Sequence, residues 1–228
     1  MQRLILWDVD GTLLTTGGVS AEAMRVAMGT VLGPVSERQR HSYAGKTDWQ
    51  IINETFPHLD PEAVVGRLRE FSATYVAELQ RRHDDLLARA RLLPGVIDAL
   101  LALHEPMIQA PLTGNIAAVA RIKIETLGLQ RYLNLTIGGY GDDHYERARL
   151  VQFAIERATA HYERRFEGHD VVVVGDTPSD IRCGQAHGAR TIAVATGPFS
   201  MEDLAAHQPD ALLADLSDTA ALLRAIAG

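Results

Sequence analysis

Cysteine is nearly absent from this chain of 228 residues: Cys183 stands alone. That excludes an intrachain disulfide and suits a reducing compartment. Long apolar runs are missing too, and none approaches the ~18 residues needed to span a bilayer. No basic tract occurs, and the formal net charge is −7, which argues against non-specific nucleic-acid binding. The basic-then-apolar opening is short and meets an acid at Asp8, so it does not read as a signal peptide. There is no fixed-period repeat and no low-complexity tract. These absences set the expectation of a cytoplasmic protein with no membrane or nucleic-acid partner. What is present, 46% hydrophobic and 22% charged residues, describes an ordinary globular chain, either one large domain or a core with a smaller insert.

The most informative stretch is RLILWDVDGTLLT, Arg3 to Thr15. Leu4 to Trp7 form a short continuous apolar run, as expected for a strand buried on both faces of a parallel sheet. It stops at Asp8-Val9-Asp10-Gly11-Thr12. In open α/β sheets ligands bind just beyond the carboxyl ends of the strands. Two carboxylates there repel: at ~4 Å and an effective dielectric of ~20, two unit charges interact by roughly 4 kcal/mol. A cation, a shifted pKa or a splayed turn must relieve this, and a bound divalent metal is the first expectation.

Leu13 to Val19 reads as a tight flap, and Ser20 as the N-cap of a helix to Leu32. The stretch 36–44 is undecided. Thr47 or Asp48 caps a helix over Trp49 to Phe56, and Asp60-Pro61 starts another that runs to about Arg82 and bends on toward Arg91. Residues 16–90 are thus expected to be helical. From Leu92 strands and helices alternate. Strands are expected at Met107–Leu112, Leu133–Ile137, Val171–Val174, Thr191–Val194 and Asp210–Leu213. The second of these is short, and the first carries Gln109 and Pro111, which weaken it. Helices are expected between them and at Thr219–Ile226. This alternation means an α/β fold, a doubly wound parallel sheet of Rossmann-like type with an inserted all-helical segment. Residues 1–15 and 91–228 would form the core and 16–90 the insert.

Four polar groups fall at strand ends or loop exits: Asp8/Asp10, Thr113, Arg147 and Asp176/Asp180. Oxygen-rich acidic sites suit Mg²⁺. The Thr113 hydroxyl, with the N–H groups of Gly114 and Asn115 at a helix start, offers a cradle for an anion, although an ordinary N-cap role is open. An arginine nearby would balance a dianion. Together these are the parts that phosphoryl transfer needs. Gly45-Lys46-Thr47 is not a P-loop, because no strand precedes it. Cys183, inside a helix, reads as packing.

With DVDGT at Asp8–Thr12, LTGN at Leu112–Asn115 and GDTPSD at Gly175–Asp180 in this order, the chain resembles the haloacid dehalogenase superfamily of hydrolases. The likeness is to its phosphoglycolate-phosphatase-like members with a helical cap. The third motif of that superfamily usually brings a lysine, and none follows Lys123. Arg147 or Arg149 must replace it, and Arg147 resembles the arginine-using members more closely. The resemblance implies that Asp8 attacks phosphorus and becomes an aspartyl-phosphate, while Asp10 serves as general acid and base. It implies Mg²⁺ held by Asp8, the Asp10 backbone carbonyl and Asp176, with Asp180 holding a metal-bound water or orienting the arginine. Thr113, Gly114, Asn115 and Arg147 would bind the phosphoryl oxygens. Lys46 would touch substrate from the cap or simply lie on the surface. The implied activity is a Mg²⁺-dependent phosphatase for a small phosphate monoester, in a monomer or homodimer. A phosphomutase or a phosphonate hydrolase on the same core is the alternative, and a phospho-receiver module is the alternative from another class.

Overall fold

The computed structural model describes residues 2–35 and 42–228, so most of the undecided stretch 36–44 lies outside the described residues. The chain runs β1 (Leu4–Trp7), β2 (Leu14–Thr15), α1 (Val19–Val31), α2 (Asp48–Thr55), α3 (Pro61–Arg81), α4 (His83–Arg89), β3 (Arg91–Leu92), α5 (Val96–His104), β4 (Ile108–Pro111) and α6 (Ala117–Thr126). It continues through α7 (Leu150–Tyr162), β5 (Val171–Gly175), α8 (Pro178–Gln185), β6 (Arg190–Val194), α9 (Met201–Ala205), β7 (Ala211–Leu213) and α10 (Thr219–Ala227), with a 3₁₀ turn at Arg147–Arg149 before α7.

One parallel sheet of five strands has the order β4-β1-β5-β6-β7. Leu4 pairs with Ile108 on one side and Val171 on the other. The two-residue period of a strand then builds both faces. Ile5, Trp7, Val172 and Val174 pack into one core with α5 and α10. Leu4, Leu6, Val171 and Val173 pack into another with α7 and Cys183 of α8. Full burial of each aliphatic side chain contributes about 1.5–3 kcal/mol. The chain leaves β1 and returns on either side of it, so the carboxyl ends of β1, β4 and β5 meet at a topological switch point.

β4 forms in spite of Pro111 because it is an edge strand of the sheet, where a missing N–H is tolerated. Its buried Gln109 is satisfied by accepting from Trp7 Nε1 and donating to Leu100 O, both at 3.0 Å. The expected strand at Leu133–Ile137 is not formed. Those residues are turns, and only Gly139 bridges Leu112 in passing. The reason is local: Asn134 turns its side chain onto the N–H and hydroxyl of Thr136, closing an Asx turn where a strand would need extended backbone.

The helical segment α1–α4 is inserted between β2 and β3, which pair antiparallel as a two-residue ribbon under it. Its core includes Met24, Met28, Ile52, Phe71, Tyr75 and Leu79. α1 begins two residues earlier than an N-cap at Ser20 would place it. Gly18, at φ 89°, is its N-cap, and Ser20 instead shares a 2.6 Å hydrogen bond with Tyr75 OH. Asp60 caps α3 as expected, accepting from Glu62 N–H at 2.9 Å. None of the described helices is long and apolar enough to cross a membrane.

Candidate active site

β1 and β5 end side by side and deliver their acids to one place. Asp8, Asp176 and Asp180 are all buried, and each offers a carboxylate oxygen within 4.8 Å of the others. The Thr12 hydroxyl donates to Asp176 Oδ1 at 3.0 Å and lies 3.4 Å from Asp8 Oδ2, bridging the two strands' acids. Gly11, at φ +89°, is forced to be glycine, because a Cβ there would lie 2.5 Å from Asp176 Oδ2.

Arg147 reaches this cluster from the 3₁₀ turn before α7. Its Nη2 donates to Asp8 Oδ1 at 2.6 Å and also to Asp180. Its buried Nε has no partner among the described residues. Arg149, two residues on, is exposed. Asp180 is fully engaged. Oδ1 accepts from Arg147, and Oδ2 takes the N–H and hydroxyl of Thr177, at 3.1 and 2.6 Å, in the capping box that starts α8. Asp180 is thus held in the cluster by Arg147 and Thr177.

One arginine does not balance these acids. Burial, and then the charge of Asp180, holds the Asp8 carboxyl well above its usual range against the pull of Arg147. Asp176 is pushed up to about 7 by burial and by Asp180, with the Thr12 hydrogen bond opposing. Such a site stores unfavourable negative charge that a cation would relieve.

Asp10 points elsewhere. Its Oδ2 accepts from Asn115 Nδ2 at 2.7 Å and from Lys123 Nζ at 2.6 Å, so its carboxylate is not in the acidic cluster. Thr113 is buried, and its hydroxyl accepts from Asn115 N–H at 3.2 Å. That N–H is therefore not free for an anion. The next two are taken as well: Ile116 N–H donates to Asp48 Oδ2 at 2.9 Å and Ala117 N–H to Asp142 Oδ1 at 3.0 Å. Of the expected cradle, the Asn115 N–H is thus turned onto Thr113 Oγ1, the Gly114 N–H has no partner among the described residues, and carboxylates of the protein take the two N–H groups that follow.

A family model described as haloacid dehalogenase-like hydrolase matches residues 5–194. The chain belongs to this family. Among similar proteins, Pyrophosphatase PpaX of Anoxybacillus flavithermus is 27% identical over 224 residues, covering 96% of this chain and 95% of its own. Probable phosphatase IndB of Dickeya dadantii is 24% identical, covering 99% and 95%. A hydrolase from Pseudomonas syringae shares the fold with a TM-score of 0.72 at 19% identity, over the whole of both chains.

In this haloacid dehalogenase-like chain the sheet and the helical insert together line a chamber of about 290 Å³ that opens to solvent. Asp8, Asp10, Thr113, Gly114, Asn115, Arg147 and Asp176 line it from the sheet side, while Asp180 lies behind them. From the insert come Ser20, Met24, Tyr43, Lys46 and Tyr75. Lys46 Nζ is ion-paired with Glu54 of α2 at the insert's surface. Cys183 is buried and its thiol is pushed up to about 12, chiefly by burial, which leaves it inert.

The loop 45–48 fastens the insert to the sheet. Asp48 N–H donates to Gly114 O at 2.8 Å, and Thr47 Oγ1 to Tyr145 O at 2.9 Å. Trp49 meets Tyr145 edge-on with centroids 5.8 Å apart. Gly114 has no room for a side chain, since a Cβ would lie 1.9 Å from Lys46 O. Asp48 and Lys123 were both missed by sequence reasoning. Asp48 looks like an ordinary first-turn acid. Lys123 had a signal: with Val119, Ala120 and Ile124 it falls on the buried face of α6 at helical spacing.

Asp48 carries a measurable signature. Burial pushes its carboxyl up to about 7, against the Ile116 hydrogen bond and the Lys123 charge. In the unfolded chain an aspartate titrates near ~3.9. The folded state therefore gains from this group most below that pH, and the gain is lost as pH rises to about 7. Asp48→Asn keeps an oxygen for Ile116 and removes the titration. Urea unfolding is expected to show the variant more stable than the parent by about 2–4 kcal/mol at pH 8, with the difference shrinking toward pH 4. A difference that does not change with pH would contradict this.

Proposed function

We propose that the chain is a Mg²⁺-dependent phosphatase that hydrolyses a small phosphate monoester through an aspartyl-phosphate on Asp8, and that residues 16–90 are a cap over a core of residues 1–15 and 91–228. The observation that carries this reading is Asp8 itself. It is a buried carboxylate at a strand end, oriented by Arg147 at 2.6 Å, within 4.8 Å of two further acids, and lining the chamber between sheet and insert. The relatives' names, pyrophosphatase and phosphatase, support a phosphoryl-bearing substrate.

The donor set fits a hard divalent cation, since three buried carboxylates face one arginine and two of them are held above their usual range. Asp8, Asp176 and the Asp10 backbone carbonyl would hold it, with Asp180 behind. Bound there, Mg²⁺ supplies charge neutralisation between the acids and a phosphoryl group.

The chain's own residues do the rest. Arg147 fixes the Asp8 carboxylate through Nη2 and has its other amino group, Nη1, to offer phosphoryl oxygens. Thr113 and Gly114 border the same oxygens, and Asn115 contributes by orienting Asp10. Asp10 gives a proton to the leaving oxygen and takes one from water. The cap excludes bulk water and shapes the space for the leaving group. Lys46, paired with Glu54, is a cap residue that lines the chamber and has further ammonium protons to offer substrate there.

Hydrolysis of p-nitrophenyl phosphate and of a panel of natural phosphate monoesters tests the reading. Turnover that stops with chelator and returns with Mg²⁺ is expected. Turnover indifferent to chelator would remove the metal, and no turnover of any ester would refute the phosphatase.

A further inference from the structure

Lys123 lies on α6 with its side chain 3% exposed. An ammonium so enclosed must be met by acceptors. Its Nζ donates to Asp10 Oδ2 and to Asn115 Oδ1, each at 2.6 Å. Asn115 Nδ2 donates to the same Asp10 oxygen at 2.7 Å and to Thr113 Oγ1 at 2.9 Å. Asp10 is thus gripped through one oxygen by α6 and the loop before it. Its side chain nevertheless stays 40% exposed and lines the chamber. Its other oxygen, Oδ1, accepts no side-chain hydrogen bond among the described residues. An ordinary surface ion pair leaves both partners solvated. Here the cation is enclosed and one carboxylate oxygen is left open, which is an arrangement for holding a group in place while it exchanges a proton.

We infer that Lys123 is a positioning residue for Asp10: with Asn115 it pins Oδ2 so that Oδ1 is presented to the leaving-group oxygen. This rests on the phosphatase reading above. In the first half-reaction an Asp8 oxygen bonds to phosphorus and the ester P–O bond breaks with its electron pair on the leaving oxygen. Oδ1 of protonated Asp10 gives that oxygen a proton. In the second, water oxygen attacks phosphorus, Asp10 Oδ1 takes a water proton, and the acyl-phosphate bond breaks to restore the Asp8 carboxylate and release orthophosphate. A misplaced Asp10 penalises the first half-reaction most when the leaving oxygen is strongly basic. Nitrophenolate departs with little help, whereas phenolate of nearly the same shape needs the proton.

The experiment compares Lys123→Met with the parent on phenyl phosphate and p-nitrophenyl phosphate, with Mg²⁺, and repeats the comparison in an Asp10→Asn background. The readout is kcat/KM, which covers steps only through the phosphoenzyme. General acid catalysis is worth about 10²–10⁴-fold, and part of it depends on placement. The expected loss is about 30-fold on phenyl phosphate and about threefold on p-nitrophenyl phosphate, with no further loss once Asp10 is Asn. A purely structural lysine would lower both esters by one factor, in both backgrounds, and that result overturns the inference. If Lys123→Met does not fold, Lys123→Gln is read the same way. A parent that hydrolyses neither these two esters nor any of the natural monoesters above refutes the phosphatase reading and this inference with it. A parent that hydrolyses both, with equal losses in the variant, refutes only the role of Lys123.

Discussion

Asp8→Asn is expected to lower turnover by more than about 10⁴-fold, because deleting a nucleophile removes the step that all others serve. The fold should survive. The amide is nearly isosteric, and its two ends match the two sides of the site. The amide oxygen accepts from Arg147, as Oδ1 does now at 2.6 Å. The amino group then falls on the side of Asp176, where a donor is welcome among acids. Burial already opposes a charge at Asp8, so in metal-free buffer at neutral pH the variant should melt no lower than the parent. Loss of activity with an unchanged or raised melting temperature supports the assignment. Retained activity on p-nitrophenyl phosphate refutes it, and loss of both activity and fold would show that Asp8 is structural.

Arg147→Met should be costly in both senses. The arginine is the cation bonded to both Asp8 and Asp180, and all three are buried. Removing one partner of a buried pair leaves an uncompensated charge and costs about 3–5 kcal/mol. The methionine keeps most of the stem's packing, so the loss isolates the charge. The deficit should be largest near pH 8 and shrink toward pH 5, where the Asp8 carboxyl, already held above its usual range by burial, takes up a proton and no longer needs a partner. Added Mg²⁺ should restore part of it by supplying the missing positive charge. Turnover should fall by at least about 10²-fold, since a preorganised donor to the phosphoryl oxygens is lost with the orientation of Asp8. A variant whose stability deficit is independent of both pH and Mg²⁺ would mean that Arg147 acts by packing alone.

What could be seen in the sequence follows from what each signal depends on. The acids at the ends of β1 and β5 were legible because a buried strand that stops at a carboxylate is unusual anywhere along a chain, with no partner needed to notice it. The helical insert was legible from periodicity alone. β4 was nearly hidden by Pro111 and Gln109, since sequence does not say that the strand lies at the sheet's edge or that Trp7 waits for the amide. Leu133–Ile137 looked like a strand because its apolar residues were visible and the Asx turn at Asn134 was not. Arg147 was favoured over Arg149 only by its resemblance to arginine-using members, because which of them turns inward is set by the single 3₁₀ turn that carries both. Asp48 and Lys123 belong to contacts between segments 68 and 113 residues apart from their partners. No local rule reaches that far, and only the buried spacing around Lys123 hinted at it.

The most direct measurement is to quench the enzyme with acid during turnover of a phosphate ester labelled at phosphorus and to locate the label by peptide mass spectrometry. A phosphoryl group is expected on the peptide that contains Asp8, formed with Mg²⁺ and absent from Asp8→Asn. Sustained turnover with no labelled peptide, or with the label on any other residue, would contradict it.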